Sequence, residues 1–564
     1  MMVRGMSPRR IAVGTCAGIV AAAIVLGLPS GASLAWPLAI VCGAASGALF
    51  AASLGRRSLA AGSALVWALG YAFLAWVVVR GIASLASHPN DGTMLDVARA
   101  NFPLLASMLV AAVPLGVAVG AAAPLREPGE RRFNLVRAVF AGGFAGIVGG
   151  WAFGKWMEQA GFFPLVATLV GSHATHVGVT IHFAIAAIIG VSFGILFQRD
   201  VRGLGSSLCW GVAYGMLWWF VGALTLLPLL TGHAPDYATA RAGALFGSFV
   251  GHVVYGAIVG ALYALVDGTW IWLFERSDPL AREPRGPGTL VASSLARGAV
   301  ASVGGGLLFS LIMIATGELT TVARLVGGTS AALGFVVHLV IASIIGATYG
   351  LLFHDEAVDE ASALGWGAAY GTIWWFVGAL TLFPILLGRP FVWTTAAAHA
   401  QLPSLVGHIA YGVALAIAFR ALERRARIER DVDERLRRRR ERRLRPPGTP
   451  APATWLFIVG MTAIVTIVAG DTFQGSTGGR TPAPLGARAA PETISDVVLG
   501  ERWLSSAERA IARRSNAQHG ATLGCSKTKG TRPRAALPGH CRTTHPSSTP
   551  QISPQRTMPT TRRG

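Results

Sequence analysis

The stretch WGVAYGMLWWFVGALTLLPLLTG, Trp210–Gly232, returns as WGAAYGTIWWFVGALTLFPILLG, Trp366–Gly388, an offset of 156 residues. Each copy is an apolar run that exceeds the roughly 20 residues a helix needs to cross a hydrocarbon core of about 30 Å. The same offset carries His182 onto His338, Gly190 onto Gly346, Gly194 onto Gly350, His252 onto His408 and Tyr255 onto Tyr411. One shift holding across three apolar runs marks a duplication. A worn third copy lies nearer the N-terminus. There CGAASGALF, Cys42–Phe50, parallels IGVSFGILF, Ile189–Phe197, and WALGYAFLAW, Trp67–Trp76, parallels WGVAYGMLWW, Trp210–Trp219.

Similar runs fill most of the chain. They predict spans over roughly 11–28, 33–53, 59–80, 102–122, 137–157, 177–197, 206–230, 244–266, 295–315, 331–353, 362–387, 402–420 and 453–470. Of 564 residues 52% are hydrophobic and 13% charged, with mean hydropathy +0.53. A soluble chain carries about twice that charged fraction, so a string of soluble domains is excluded.

The net charge of +21 is nearly all arginine; Lys155, Lys527 and Lys529 are the only lysines. Arg4, Arg9, Arg10, Arg56, Arg57, Arg126, Arg131, Arg132, Arg137, Arg199, Arg202, Arg276, Arg282, Arg285 and the basic block after the twelfth span fall before the first span or after even-numbered ones, while Arg80, Arg99, Arg241, Arg324 and Arg389, fewer, fall on the other side. Arginine loops of that kind stay on the cytoplasmic side. The expectation is a bacterial inner-membrane protein with a cytoplasmic N-terminus; the basic charge orients the chain and calls for no nucleic acid. Four spans per unit keep successive units in one orientation, as parallel repeats.

The sequence therefore predicts an all-α fold, a polytopic transmembrane helix bundle of three parallel four-helix repeats plus one extra span. The divisions are a degenerate repeat over 1–125, repeats over 130–285 and 290–422, a basic cytoplasmic helix over 421–447, the additional helix over 453–470 and a disordered basic tail over 471–564. Arg424–Arg445 offers contact with anionic lipid headgroups. Cys16, Cys42 and Cys209 fall in apolar runs and are expected to pack; Cys525 and Cys541 fall in the tail.

The spans carry two kinds of unusual residue. Gly190, Gly194, Trp210, Tyr214 and Trp218, with Trp366, Tyr370 and Trp374, recur at helical spacing, small residues admitting a neighbouring helix and aromatics filling the gaps. The histidines are the candidate polar site. Ser248, His252 and Tyr255 form a polar stripe on one apolar run, and Ser404, His408 and Tyr411 form its copy. His182 and His338 fall at similar depth on other runs, about 8 Å in against about 12 Å. In the worn copy Ala35 aligns with His182 and Ala112 with His252, so both imidazoles are missing together.

A polar residue inside a membrane is a functional candidate. Three readings are open: an interhelical hydrogen bond, a proton-linked or substrate-binding role in a transport path, or ligation of a transition metal or haem by His182, His252, His338 and His408. His173 and His176 lie close enough in sequence to enlarge the last for the second repeat. No nucleotide loop, metalloprotease, hydrolase or dinucleotide motif fits, so catalysis is not expected.

WGVAYGMLWWFVGALTLLP and GHVVYG resemble an uncharacterised family of bacterial multi-pass membrane proteins, in which G-x-x-Y-G-x-x-W-W-x-x-G-x-L is followed by G-H-x-x-Y-G. The resemblance spans about 130–422 and implies a membrane bundle without assigning an activity. The best functional expectation is a transport or permeation protein with a polar path in repeats two and three. A metal- or haem-binding protein and a non-catalytic scaffold are the alternatives.

Overall fold

The structure is a computed structural model that describes residues 8–31, 35–54, 59–86, 94–122, 133–201, 203–275, 287–354, 356, 359–430 and 451–470. Every regular element among them is helical. The long helices are α1 (Pro8–Gly27), α2 (Trp36–Ser53), α3 (Ala61–Ala86), α4 (Phe102–Ala121), α5 (Leu135–Gln159), α6 (Thr175–Phe197) and α7 (Leu204–Trp218). They continue as α8 (Phe246–Trp270), α9 (Pro287–Thr316), α10 (Ala331–Phe353), α11 (Glu360–Trp374), α12 (Leu402–Arg430) and α13 (Ala451–Gly470). The first twelve are long and apolar enough to cross a membrane, α7 and α11 when the helical turns that continue them are included, over Leu204–Leu230 and Glu360–Leu386; α13 is apolar over Ala453–Val468. The chain is a multi-pass membrane protein.

Three helix pairings recur along the chain. α1 packs on α2 and α4, and α4 on α3; α5 packs on α6 and α8, and α8 on α7; α9 packs on α10 and α12, and α12 on α11. The contacts are close because they are built on glycine. Gly142 and Gly146 meet Gly190; Gly211 and Gly215 meet Gly256 and Gly260; Gly298 meets Gly346 and Gly350. A Cβ at any of these would strike backbone of the facing helix. Inside a bilayer, where lipid tails are as apolar as leucine, such approach supplies the dispersion energy that holds helices together.

The thirteenth helix has a different place from the others. α13 packs on α3, α7 and α11, the third helix of each group, and on the short helices Met94–Ala100, Thr239–Ala244 and Thr395–Ala400. Phe457, Ile458, Met461 and Val465 are fully buried, and Gly460 faces the Phe73 ring. The extra span is thus an internal helix that fills the space between three others.

Neighbouring groups are also stitched by carboxylates. Asp200, after α6, accepts from the Ser63 backbone N–H at 3.0 Å and the Ser63 hydroxyl at 2.7 Å, in the first turn of α3. Glu356, after α10, accepts from the Ser206 backbone N–H at 2.6 Å, in the first turn of α7. A carboxylate on the orphan N–H groups of a helix start satisfies the backbone and opposes the helix dipole.

Two expectations change. Cys16 and Cys42 are exposed on the bundle surface, and of the three only Cys209 is buried; a polarizable thiol sits in an apolar surface as readily as in a core. The basic segment does not begin as a separate solvated helix at 421. α12 runs unbroken to Arg430, and Glu423 is buried on it, paired to Arg297 of α9 at 2.8 Å. The remainder of the basic segment and the tail, with Cys525 and Cys541, lie outside the described residues.

Candidate functional site

The histidines occupy paired, repeating environments. His182 and His338 are buried on α6 and α10. Nε2–H of His182 donates to the Gly150 carbonyl of α5 at 2.9 Å, and Nε2–H of His338 donates to the Gly306 carbonyl of α9 at 3.2 Å. A carbonyl only accepts, so the proton is on Nε2 in both and Nδ1 keeps its lone pair. His252 and His408, on α8 and α12, bond within their own helices. Their Nδ1–H donates to the carbonyls of Ser248 and Ser404, each at 2.8 Å, with the serine hydroxyls at 3.4 and 3.3 Å. In these two the free lone pair is on Nε2. Of the four, only His182 and His338 make an interhelical hydrogen bond.

One phenylalanine joins each pair. The Phe153 ring stands edge-on to His182 at 5.8 Å and His252 at 4.8 Å. Phe309 does the same for His338 at 5.2 Å and His408 at 4.8 Å. The tyrosines of the polar stripe serve the frame: the Tyr255 hydroxyl donates to the Ala186 carbonyl and the Tyr411 hydroxyl to Ala342, each at 2.6 Å. His173 and His176 are exposed at the start of α6, away from these rings. Among the described residues no group of three or more His, Cys, Asp or Glu side chains is placed to hold a metal ion.

The aromatic residues shape the third side. Trp210 and Trp366 are buried, while Trp218 and Trp374 are half-buried. Tyr214 meets the Ser192 hydroxyl at 2.8 Å and Tyr370 meets Thr348 at 2.6 Å, bridging α7 to α6 and α11 to α10. After Trp218 and Trp374 each helix widens into π turns, Trp219–Leu226 and Trp375–Leu382, before the short helices that hold Pro228 and Pro384. Proline has no N–H to continue the ordinary ladder, and the wider turn takes up the mismatch. Thr225 and Thr381 close it by donating to the carbonyls five residues back, Phe220 at 2.7 Å and Phe376 at 2.8 Å.

In the third group these parts enclose a cavity of about 250 Å³. His338, His408, Ser404 and Tyr411 line it together with Phe309, Trp374 and the π-turn residues Gly378 and Ala379. Glu318, Val322, Leu325 and Gln401 also line it. Glu318 is set there by a tight turn at Gly317, whose φ of 73° is natural to glycine, with Glu318 N–H on the Met313 carbonyl at 2.9 Å. Across the cavity from His408, a Cβ on Gly378 would lie 3.9 Å from Nε2. That free lone pair therefore faces a position with no side chain.

The second group has the same histidines but different filling. Trp156 replaces Ile312 and Phe162 replaces Glu318 at the offset of 156. Trp156 is buried, 5.8 Å from the Phe153 ring, 5.3 Å from Phe162 and 6.2 Å from Trp393, and it covers Gly247 of α8. The third group has Pro403 at the place of Gly247.

The N-terminal group lacks the histidines, at positions one turn from those the sequence alignment suggests. Trp76 donates to the Asn101 carbonyl at 3.0 Å as Trp219 donates to Leu245 at 3.2 Å, and Gly47 meets Gly14 and Gly18 as Gly190 meets Gly142 and Gly146. These contacts place Ala39 and Met108, instead of Ala35 and Ala112, opposite His182 and His252. Glycines spaced by four residues match equally well after a one-turn slip, so glycine alignment alone could not fix the register.

No family model matches the chain, and no curated protein or solved structure shows significant similarity to it.

Proposed function

We propose that the protein is a transport or permeation protein of a bacterial inner membrane, with its N-terminus on the cytoplasmic side and its binding step in the His338–His408 cavity. The observation that supports this is a cavity of about 250 Å³ among membrane-spanning helices, lined by two imidazoles that each have one ring nitrogen engaged by a carbonyl and the other without a protein hydrogen bond among the described residues. A mostly apolar pocket with a few convergent polar groups is the usual form of a small-molecule site. The arginine-rich loops, which favour the cytoplasmic side, and the recurring helix pairings support the orientation and the three-repeat plan. The second group shares the histidines, but there Trp156 packs on Phe153, Phe162 and Gly247 where the third group has Ile312 and Glu318, which favours the third group for the path.

The test is thiol accessibility from each side. Ser404→Cys and Ala379→Cys are placed in a variant freed of native cysteine and reconstituted into sealed vesicles. A charged, membrane-impermeant thiol reagent is expected to label both positions from the outer side, and at a slower rate from the cytoplasmic side as the path alternates. Labelling from one side only would reduce the site to a receptor pocket and end the transport reading.

A further inference from the structure

We infer that the His338–His408 cavity binds a small organic ammonium ion with an apolar body. The inference rests on reading this cavity as a ligand site, as above, but not on transport.

The hydrogen-bonding inventory of the lining carries it. Most donors in the lining are already engaged by the protein. Nε2–H of His338 is held by Gly306, Nδ1–H of His408 by the Ser404 carbonyl, the Tyr411 hydroxyl by Ala342, and the Thr316 hydroxyl by Ile312 at 3.1 Å. What these groups leave toward the cavity is lone pairs. The Glu318 carboxylate adds only acceptors, and among the described residues it has no ion-pair partner. The Ser404 hydroxyl, the Gln401 amide and the Trp374 indole N–H are the donors that remain. A ligand rich in N–H donors satisfies this surface, whereas an anion would find almost nothing to bind. No arginine or lysine lines the cavity. The Phe309, Trp374 and Phe383 rings also line the cavity and offer π surface to a cation, and most of the remaining lining is aliphatic.

The second group is a natural comparison. Trp156 and Phe162 stand where the cavity has Ile312 and Glu318, so the same exchange that opens the space also supplies the carboxylate. Size and charge change together at these two positions, as expected of a site specialised for a cationic ligand.

The probe is 2-phenylethylammonium, charged at neutral pH, against 2-phenylethanol, its neutral counterpart. Binding to the full chain in lipid nanodiscs is read by calorimetry. The ammonium ion is expected to bind at least about tenfold more tightly than the alcohol. Glu318→Gln should remove most of that ratio while leaving the alcohol unchanged. Ile312→Trp, which copies the filled second group, should abolish binding of both. Ala379→Leu fills the space from a different helix and should do the same, which covers the case in which Ile312→Trp fails to fold. Equal affinity for the two probes, no binding of either, or undiminished binding in a well-folded filled variant would overturn the inference. Equilibrium binding and two-sided thiol access are separate readouts. A protein that discriminates the ammonium ion yet is labelled from one side keeps this inference and loses transport.

Discussion

At the scale of single residues, the membrane context makes each buried charge a commitment. Arg137 and Asp267 join α5 to α8 through a 2.8 Å contact, with both side chains about 1% exposed. Taking away one partner leaves an uncompensated charge in low dielectric, which costs about 3–5 kcal/mol, whereas replacing both by apolar residues is close to neutral. Asp267→Ala is therefore expected to lower the thermal midpoint in detergent sharply, and Arg137→Leu with Asp267→Leu to recover most of it. The third group makes the same α9–α12 link from Arg297, one turn further along, to Glu423. Sequence reading could nominate the histidines and the serine–histidine–tyrosine stripe, because identical residues at one offset stand out against an apolar background. It could not show that Phe153 and Phe309 join each histidine pair, since phenylalanine is unremarkable in such a chain. Glu318 also escaped, because its signal is a departure from the repeat, Phe162 in one copy and Glu318 in the other, while the search was for agreement.

At the scale of elements, the π turns are the feature that composition conceals. The run WWFVGALTL followed by Leu-Pro or Phe-Pro reads as ordinary apolar helix, and a proline by itself says only that a helix ends or kinks nearby. The structure instead spreads the adjustment over Trp375–Leu382 and ties it with Thr381, whose hydroxyl takes the Phe376 carbonyl and accepts from Trp393 Nε1 at 3.1 Å. Thr381→Val keeps the shape and removes both bonds. The expected loss is about 1–3 kcal/mol, seen as a lower thermal midpoint, and it should come with altered thiol labelling at Ala379→Cys, two residues away on the same turn. Helix existence was legible because length and apolarity decide it. Helix register was not, because glycine ladders tolerate a one-turn slip.

At the scale of the whole molecule, the twelve spans follow from hydropathy alone, and the internal repetition was visible because a shift of 156 residues preserves aromatic and glycine positions. The role of α13 was not legible. Its sequence is as apolar as a lipid-facing span, and only its neighbours reveal that it lies between α3, α7 and α11. A chain ended at Pro450 should expose the faces those helices turn toward α13. It is expected to insert but to migrate as heterogeneous oligomers in gel filtration, where the full chain gives one species. A single sharp peak from the shortened chain would show that the three groups hold together unaided.

The carboxylate caps have a consequence for biogenesis. The first turn of α3 is completed by Asp200, 137 residues downstream of Ser63, and that of α7 by Glu356, 150 residues downstream of Ser206. At about 5–20 residues per second, the ribosome reaches Asp200 about 7–27 s after Ser63. The first two groups thus leave the translocon with a helix start that only the next group can finish, whereas α11 is capped by Asp359 just before it. The last hydrophobic segment to emerge then occupies the middle. The polypeptide matures in the order of its synthesis, and its inner seam stays open to chaperones and proteases until α13 has been made.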